Sequence, residues 1–277
     1  MPAPERRLAL AISHDLGVIG AGMMGSALVR AFINAGLLEA NRVIISDVYP
    51  ATLTALADTL GVTTTDDNRL LVEQSAVVLL AVKPQVLSAV LEPLSLRDEQ
   101  LVVSIAAGVT LAKLAALTSD NQPIVRVMPN ILATVAQASS AYAPNAQVTE
   151  AQVDFVQRLL GGAGVAVKVE ERLMDAVTGL SGSGPAFVAV FAEALIDGGV
   201  AAGLPRADAT KLTAQMLRGV GEWLLQTGGS PAQLKDLVTS PGGTTIAGLR
   251  ALEAGGLRGA AIEAVVAAAQ RSKELGS

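Results

Sequence analysis

Along the first two thirds of the chain, short apolar runs alternate with longer stretches whose apolar residues recur every three or four positions. Leu16-Gly-Val-Ile-Gly20, Arg42–Asp47, Ala76-Val-Val-Leu-Leu-Ala-Val82, Leu101–Ile105 and Ile124–Val127 read as strands. The run from Ala76 to Val82 is apolar on both faces, as a central parallel strand must be. Residues 23–36 read as a helix ended by Gly36, and Pro50 opens another at a first-turn position where its missing N–H is harmless. Thr149-Glu-Ala-Gln152 forms a capping box for a helix through Leu160, and Val165–Val169 follows as a last strand. Strands alternating with helices predict βαβ units, hence an α/β fold with a doubly wound sheet.

From about residue 172 the pattern changes to Ala- and Leu-rich helices. Pro185–Gly198, Arg206–Gln226, Pro231–Val238 and Thr245–Ala254 each start at or near a Pro, Ser, Asp or Thr. The predicted organisation is an α/β domain over 1–171 followed by an all-α domain over 172–277. These helices are apolar around much of their circumference, and Ala186–Ile196 is broken only by Glu193. A domain of about 100 residues cannot bury that much surface alone, so either these helices pack heavily on the sheet or two subunits interlock through them, and the second is the expectation.

Composition narrows the chemistry. The chain is 51% hydrophobic but only 3% aromatic, so its core must be built from Ala, Val, Leu and Ile. With no Cys, disulfides, thiol nucleophiles and thiolate metal sites are excluded. His14 is the single histidine, which removes imidazole metal clusters and Ser-His-Asp hydrolysis, and no metal is expected. His14 precedes the first strand and is expected at the surface. A net charge of −5 argues against a nucleic-acid partner. The mean hydropathy of +0.49 invites a membrane reading. No uninterrupted apolar stretch reaches the roughly 18–20 residues needed to span, so no membrane partner is expected. The opening MPAPERR-LALAIS faintly resembles a signal peptide, but its apolar part is short and a strand follows at once. A cytoplasmic chain is the expectation.

Gly20-Ala-Gly22-Met-Met-Gly25 matches G-x-G-x-x-G. By itself that is a weak signal. Here it follows a strand and opens a helix, and an acid, Asp47, closes the second strand about 20 residues on. Gly20 permits the tight turn, Gly22 lets a pyrophosphate reach the backbone, and Gly25 lets helix and strand pack closely, with the helix N–H groups facing the phosphates. This predicts a Rossmann-type nucleotide-binding domain using NADH or NADPH. Asp47 favours NADH, because a carboxylate there takes the ribose 2′-hydroxyl and repels a 2′-phosphate. Ser46 could instead hydrogen-bond such a phosphate, and the choice stays open.

A second candidate site is the loop Ser240-Pro-Gly-Gly-Thr-Thr245, between a short helix and the next. It is longer than capping requires, and a helix start flanked by hydroxyls is a ready carboxylate site. Lys83, before Pro84, reads as a turn rather than a general acid. Glu193 and Asp197, four apart on a helix, read as a solvated face.

Leu237-Val-Thr-Ser-Pro-Gly-Gly-Thr-Thr-Ile-Ala-Gly-Leu-Arg-Ala-Leu-Glu253 resembles the signature of pyrroline-5-carboxylate reductases, the last enzymes of proline synthesis. Gly20–Gly25, Ala81-Val-Lys-Pro84, Ser104-Ile-Ala-Ala-Gly108, Arg126-Val-Met-Pro-Asn130 and Gly179-Leu-Ser-Gly-Ser-Gly-Pro-Ala186 match the same family in order, from about Leu16 to Gln270. The resemblance implies NAD(P)H-dependent reduction of Δ1-pyrroline-5-carboxylate to L-proline, with NADPH the common family choice. It also implies a homodimer built by the helical domain, gathered in many members into larger rings such as a decamer. By position it implies Met23 and Met24 in the phosphate turn, Ser46 and Asn68 near the adenosine ribose, and Ala81, Val82 and Lys83 along the cofactor. Ala106 and Ala107 come near the nicotinamide. The backbone of Gly243 and Thr244, with Ser240 beside it, holds the substrate carboxylate, and the Thr245 hydroxyl meets the ring nitrogen as the catalytic contact. Ile131-Leu132 departs from the Thr-Pro that the family usually shows after Met-Pro-Asn. Other readings are a β-hydroxyacid dehydrogenase, a general imine reductase or a non-catalytic dinucleotide sensor. The first needs a Lys early in the second domain, and none lies between Arg172 and Arg206.

Overall fold

The apolar runs assemble into one eight-stranded sheet in a computed structural model that describes residues 12–276. The MPAPERR opening weighed above as a leader lies outside the described residues. The strands are β1 (His14–Ile19), β2 (Val43–Ser46), β3 (Thr63–Thr65), β4 (Ser75–Leu80), β5 (Leu101–Ser104), β6 (Ile124–Met128), β7 (Ala138–Pro144) and β8 (Gly164–Lys168). Their order in space is β3-β2-β1-β4-β5-β6-β7-β8. The first six run parallel, β7 is antiparallel to β6, and β8 is parallel to β7. The chain winds outward from β1 through β2 to β3, then returns to β4 on the other side of β1. The winding direction therefore reverses between β1 and β4, where sheets of this kind open a crevice at the carboxyl ends of the strands.

Six helices connect these strands: α1 (Met23–Asn34), α2 (Pro50–Leu60), α3 (Asn68–Gln74), α4 (Leu87–Leu91), α5 (Leu111–Leu117) and α6 (Glu150–Gly162). Pro50 stands in the first turn of α2, and Gly61 ends that helix at φ +72°, its N–H returning to Ala57. The capping box at Thr149 and Gln152 forms as read from the sequence. β4 feeds two cores in alternation: Val77 and Leu79 point into one layer with Leu16, Leu28 and Phe32, while Val78 and Leu80 point into the other with Ile19, Leu71 and Leu114. Each such buried aliphatic contributes about 1.5–3 kcal/mol over leaving it in water. The doubly wound α/β expectation holds, but β3, β7, α3, α4 and α5 were not individually expected.

His14 is a correction. It begins β1, is only 7% exposed, and its ring contacts the hydroxyls of Ser13 (2.9 Å) and Thr63 (3.3 Å). Burial, reinforced by nearby Arg42, pushes its pKa below the ordinary 6.5. A surface placement failed because β3, whose hydroxyl shelters the ring, has no apolar pattern to announce it.

By compactness the chain divides into two units. One comprises the described residues through Gly182 together with those from Ala268 on, and the other is Ser183–Ala267. The first holds the sheet, its six helices, α7 (Met174–Val177) and a π-helical turn at Thr178–Gly182. The second holds α8 (Gly184–Ala201), α9 (Arg206–Thr227), α10 (Pro231–Leu237), α11 (Thr244–Ala254) and the start of α12 (Leu257–Gly276), whose last residues belong to the first unit. α12 is absent from the helices expected from sequence. In the second unit Ala209 and Thr213 of α9 are buried, whereas α8 buries no residue, and Val188, Val190, Leu212, Leu225 and Ile262 are exposed. Asp197 pairs with Arg206 at 2.8 Å, and Glu193 is solvated.

The expectation that no segment is long and apolar enough to span a membrane is also corrected. The helical residues Glu171–Ala201, 31 in all, contain an 18-residue window of mean hydropathy 1.4 with few charges. The sequence reading counted uninterrupted apolar runs, which Asp175 and Glu193 break. A helix needs only a low density of charge, and the π turn splices α7 to the run that follows.

Candidate active site

The dinucleotide turn is built where the winding reverses. Gly20 follows β1 at φ +106°, and a Cβ there would lie 2.7 Å from the carbonyl oxygen of Ala81. Its N–H donates to Ser46 O at 2.8 Å, which ties the turn to the end of β2. A Cβ on Gly25 would run into the Gly20 carbonyl, so the helix sits as close to the strand as the motif implies. Gly22 is the contrast, because a Cβ there meets nothing within 4 Å. Gly22 is also the N-cap of α1, with no side-chain cap and no acidic residue in the first turn. The N–H groups of that turn are thus bare beside open space of the kind a pyrophosphate needs, and the residues fit a dinucleotide. Met23 is 69% exposed at the lip, and Met24 is half-buried.

Neighbouring strand ends complete the edge. Ala81 N–H donates to Ile19 O at 2.8 Å and Ile105 N–H to Leu80 O at 3.1 Å, a staircase of bonds along the carboxyl ends of β1, β4 and β5. This sets Ala81, Val82 and Lys83 after β4, and Ala106 and Ala107 after β5, along one edge. Ala106 is buried, while Lys83 and Ala107 are exposed. At the end of β2 the Asp47 carboxylate accepts from Ala21 N–H (2.7 Å) and Tyr49 N–H (3.1 Å). Ser46 is 1% exposed, and its hydroxyl donates to Asn68 Oδ1 at 2.6 Å. The structure therefore brings Gly20, Gly22, Met23, Met24, Gly25, Ser46, Asp47, Asn68, Ala81, Val82, Lys83, Ala106 and Ala107 to the carboxyl ends of adjoining strands.

Ser240, Gly243, Thr244 and Thr245 lie in the other unit, within one turn of chain. Gly243 is the N-cap of α11 and has no side-chain cap. Its N–H donates to Ser240 O at 3.1 Å, and a Cβ on Gly243 would strike the Ser240 hydroxyl. The loop thus folds back on itself, and the first-turn N–H groups that follow, beginning with Thr244, have no carbonyl four residues earlier in the helix. Thr245 is half-buried and Thr244 exposed.

Two further polar centres frame the first unit, and sequence reasoning gave them no role. Arg126 on β6 is buried and pairs with Glu171 at 3.2 Å, whose carboxylate also accepts the N–H of Leu111 at the start of α5 (2.6 Å). Asn130 is 5% exposed and donates to Ser181 O at 3.0 Å, while its Oδ1 accepts from Leu132 and Ser139 N–H, each at 3.3 Å. The departure at Ile131-Leu132 has a local consequence, since the Pro usual in the family at this position has no N–H to give Asn130. Both centres fall in motifs quoted above, and buried polar types within such motifs were the available signal. Among the described residues no group of three or more His, Cys, Asp or Glu is placed to hold a metal ion.

Comparison with known proteins agrees with this layout. The profile described as pyrroline-5-carboxylate reductase dimerisation matches residues 171–275, and that described as NADP oxidoreductase, coenzyme F420-dependent, matches residues 15–108. A pyrroline-5-carboxylate reductase of Methanosarcina acetivorans is 47% identical over 266 residues, 95% of this chain and 98% of that one. The solved pyrroline-5-carboxylate reductase of Coxiella burnetii superposes with a TM-score of 0.90 at 34% identity, covering 96% of this chain and 99% of that one. The pyrroline carboxylate reductase of Plasmodium falciparum, solved with NADP bound, gives a TM-score of 0.84 at 31% identity, covering 97% of this chain and all of its own. With such identity over nearly its whole length, this chain belongs to the pyrroline-5-carboxylate reductase family.

Proposed function

We propose that this chain reduces Δ1-pyrroline-5-carboxylate to L-proline at the expense of NADPH or NADH. The observation that carries the reading is the pair of bare helix starts: α1 behind Gly22, suited to a pyrophosphate, and α11 behind Gly243, suited to a small carboxylate. The bound dinucleotide supplies a hydride. Everything else asked of the protein is binding and orientation, which suits a chain without Cys and with a single, buried His.

In this proposal Gly20, Gly22, Gly25, Met23 and Met24 seat the pyrophosphate. Asp47 and Asn68 would meet the ribose, with the buried Ser46 holding Asn68 through its hydroxyl; Ala81, Val82 and Lys83 would line the cofactor, and Ala106 and Ala107 would lie toward the nicotinamide. Thr244 N–H, with Gly243 and Ser240 shaping the turn, anchors the substrate carboxylate. The imine is protonated before reaction, so its carbon is already electrophilic. The imine carbon, across the ring nitrogen from the carbon that bears the carboxylate, gains the hydride, the C=N π pair becomes the nitrogen lone pair, and the Thr245 hydroxyl holds the ring N–H through the change. The amine then takes a proton from solvent.

The functional boundary is placed at 171/172, which the start of the dimerisation profile supports. The homodimer forms through the helices of the second half, whose apolar faces are uncovered in the single chain. Rings of dimers up to a decamer, and a cytoplasmic location where reduced dinucleotides are supplied, belong to the same proposal through the family resemblance. The exposed apolar run ending at Ala201 is read as subunit interface. The test is a steady-state assay of NADPH and NADH oxidation with the imine, with proline identified as product. Oxidation without proline, or none at all, overturns the reading.

A further inference from the structure

We propose that Asp47 makes this chain select NADH over NADPH. The inference rests on the reductase reading above and adds to it the identity of the nucleotide. Asp47 stands at the end of β2, beside the phosphate turn. Its Oδ2 accepts the N–H of Ala21 at 2.7 Å and its Oδ1 the N–H of Tyr49 at 3.1 Å. Two backbone donors from two different loops fix the plane of the carboxylate, which therefore cannot swing aside for a bulky group. Each oxygen keeps a lone pair for a ribose 2′-hydroxyl, which is a donor. A 2′-phosphate brings only acceptor oxygens and a like charge to the same place.

The groups that would offset that repulsion are committed elsewhere or missing. The Ser46 hydroxyl proton goes to Asn68 Oδ1 at 2.6 Å, so Ser46 has none to offer a phosphate. From Val43 through Asn68 the sequence contains neither Lys nor Arg, while Asp66 and Asp67 add negative charge. Asp67 is held at the N-cap of α3 by the N–H groups of Arg69 and Leu70. The first cation after β2 is Arg69, exposed in the opening turn of α3, and it is the residue through which a 2′-phosphate would have to be held.

The test measures binding of NADH and of NADPH to the full chain, without imine, by the fluorescence of the reduced nicotinamide. Wild type is expected to bind NADH at least roughly tenfold more tightly, the scale of one like-charge contact near a protein surface. Asp47→Asn keeps an oxygen for Ala21 N–H but loses the charge, and Asp47→Ser removes both. Each should bring the ratio to parity or beyond, chiefly by tightening NADPH. Thermal melting identifies any variant that fails to fold, and the other then decides. Equal or tighter NADPH binding by wild type, or an unchanged ratio in folded Asp47→Asn, overturns the inference. So does loss of NADPH binding confined to Arg69→Ala when Asp47→Asn changes nothing. Selective NADH binding by a chain that reduces no imine would uphold this inference while sinking the reductase reading.

Discussion

The amide of Asn130 donates to the carbonyl of Ser181 at 3.0 Å, tying the loop after β6 to the π turn at Thr178–Gly182. The same side chain accepts two backbone N–H groups on its other face. Asn130→Ala leaves those three groups without their partner in a partly buried place, and a loss of about 1 kcal/mol is expected in urea unfolding. A loss under a few tenths would mean that water replaces the side chain freely.

Gly22 and Gly25 separate affinity from folding. Gly22→Ala adds a methyl to open space, so melting should be unchanged while nucleotide binding weakens, because the methyl would enter the space proposed for the pyrophosphate. Gly25→Ala drives its methyl into the Gly20 carbonyl and should lower both melting temperature and binding. Equal melting temperatures for the two variants would contradict the packing described here.

Thr245 is assigned the ring nitrogen. Thr245→Ala should lower kcat by roughly 10- to 100-fold at little change in nucleotide affinity, with Thr245→Ser recovering most of it. Unchanged turnover in the alanine variant removes Thr245 from the mechanism.

Val190 on α8 is 68% exposed in the single chain, in the middle of an apolar face. Val190→Glu should convert the dimer to monomer in sedimentation velocity, since burying an unpaired carboxylate costs several kcal/mol. A dimer that survives this change would place the interface elsewhere.

His14 predicts a pH dependence. Its folded-state pKa lies below 6.5, so as pH falls through that window the unfolded chain takes up the proton first and stability declines. His14→Asn should flatten the part of the decline in urea midpoint between about pH 7.5 and pH 5.5 that the imidazole contributes. Parallel curves for wild type and variant would sink this account.

Sequence alone determined the doubly wound sheet, the dinucleotide turn and the α11 loop, because each rests on local rules. Period and length separate strand from helix, φ > 0 and close approach demand glycine, and Ser or Thr followed by Gln caps a helix. Tertiary structure alone decided the rest. β7 is an Ala- and Ser-rich segment with little strand preference of its own, and it exists because the edge of β6 offers it a ladder of N–H and C=O groups. β3 is three threonines recruited by β2 in the same way. The contact of His14 with Thr63, the hold of Ala21 on Asp47, and the bridge from Asn130 to Ser181 all join residues far apart in the chain. No local pattern carries such contacts, because the partner of a buried polar group is chosen by packing in three dimensions.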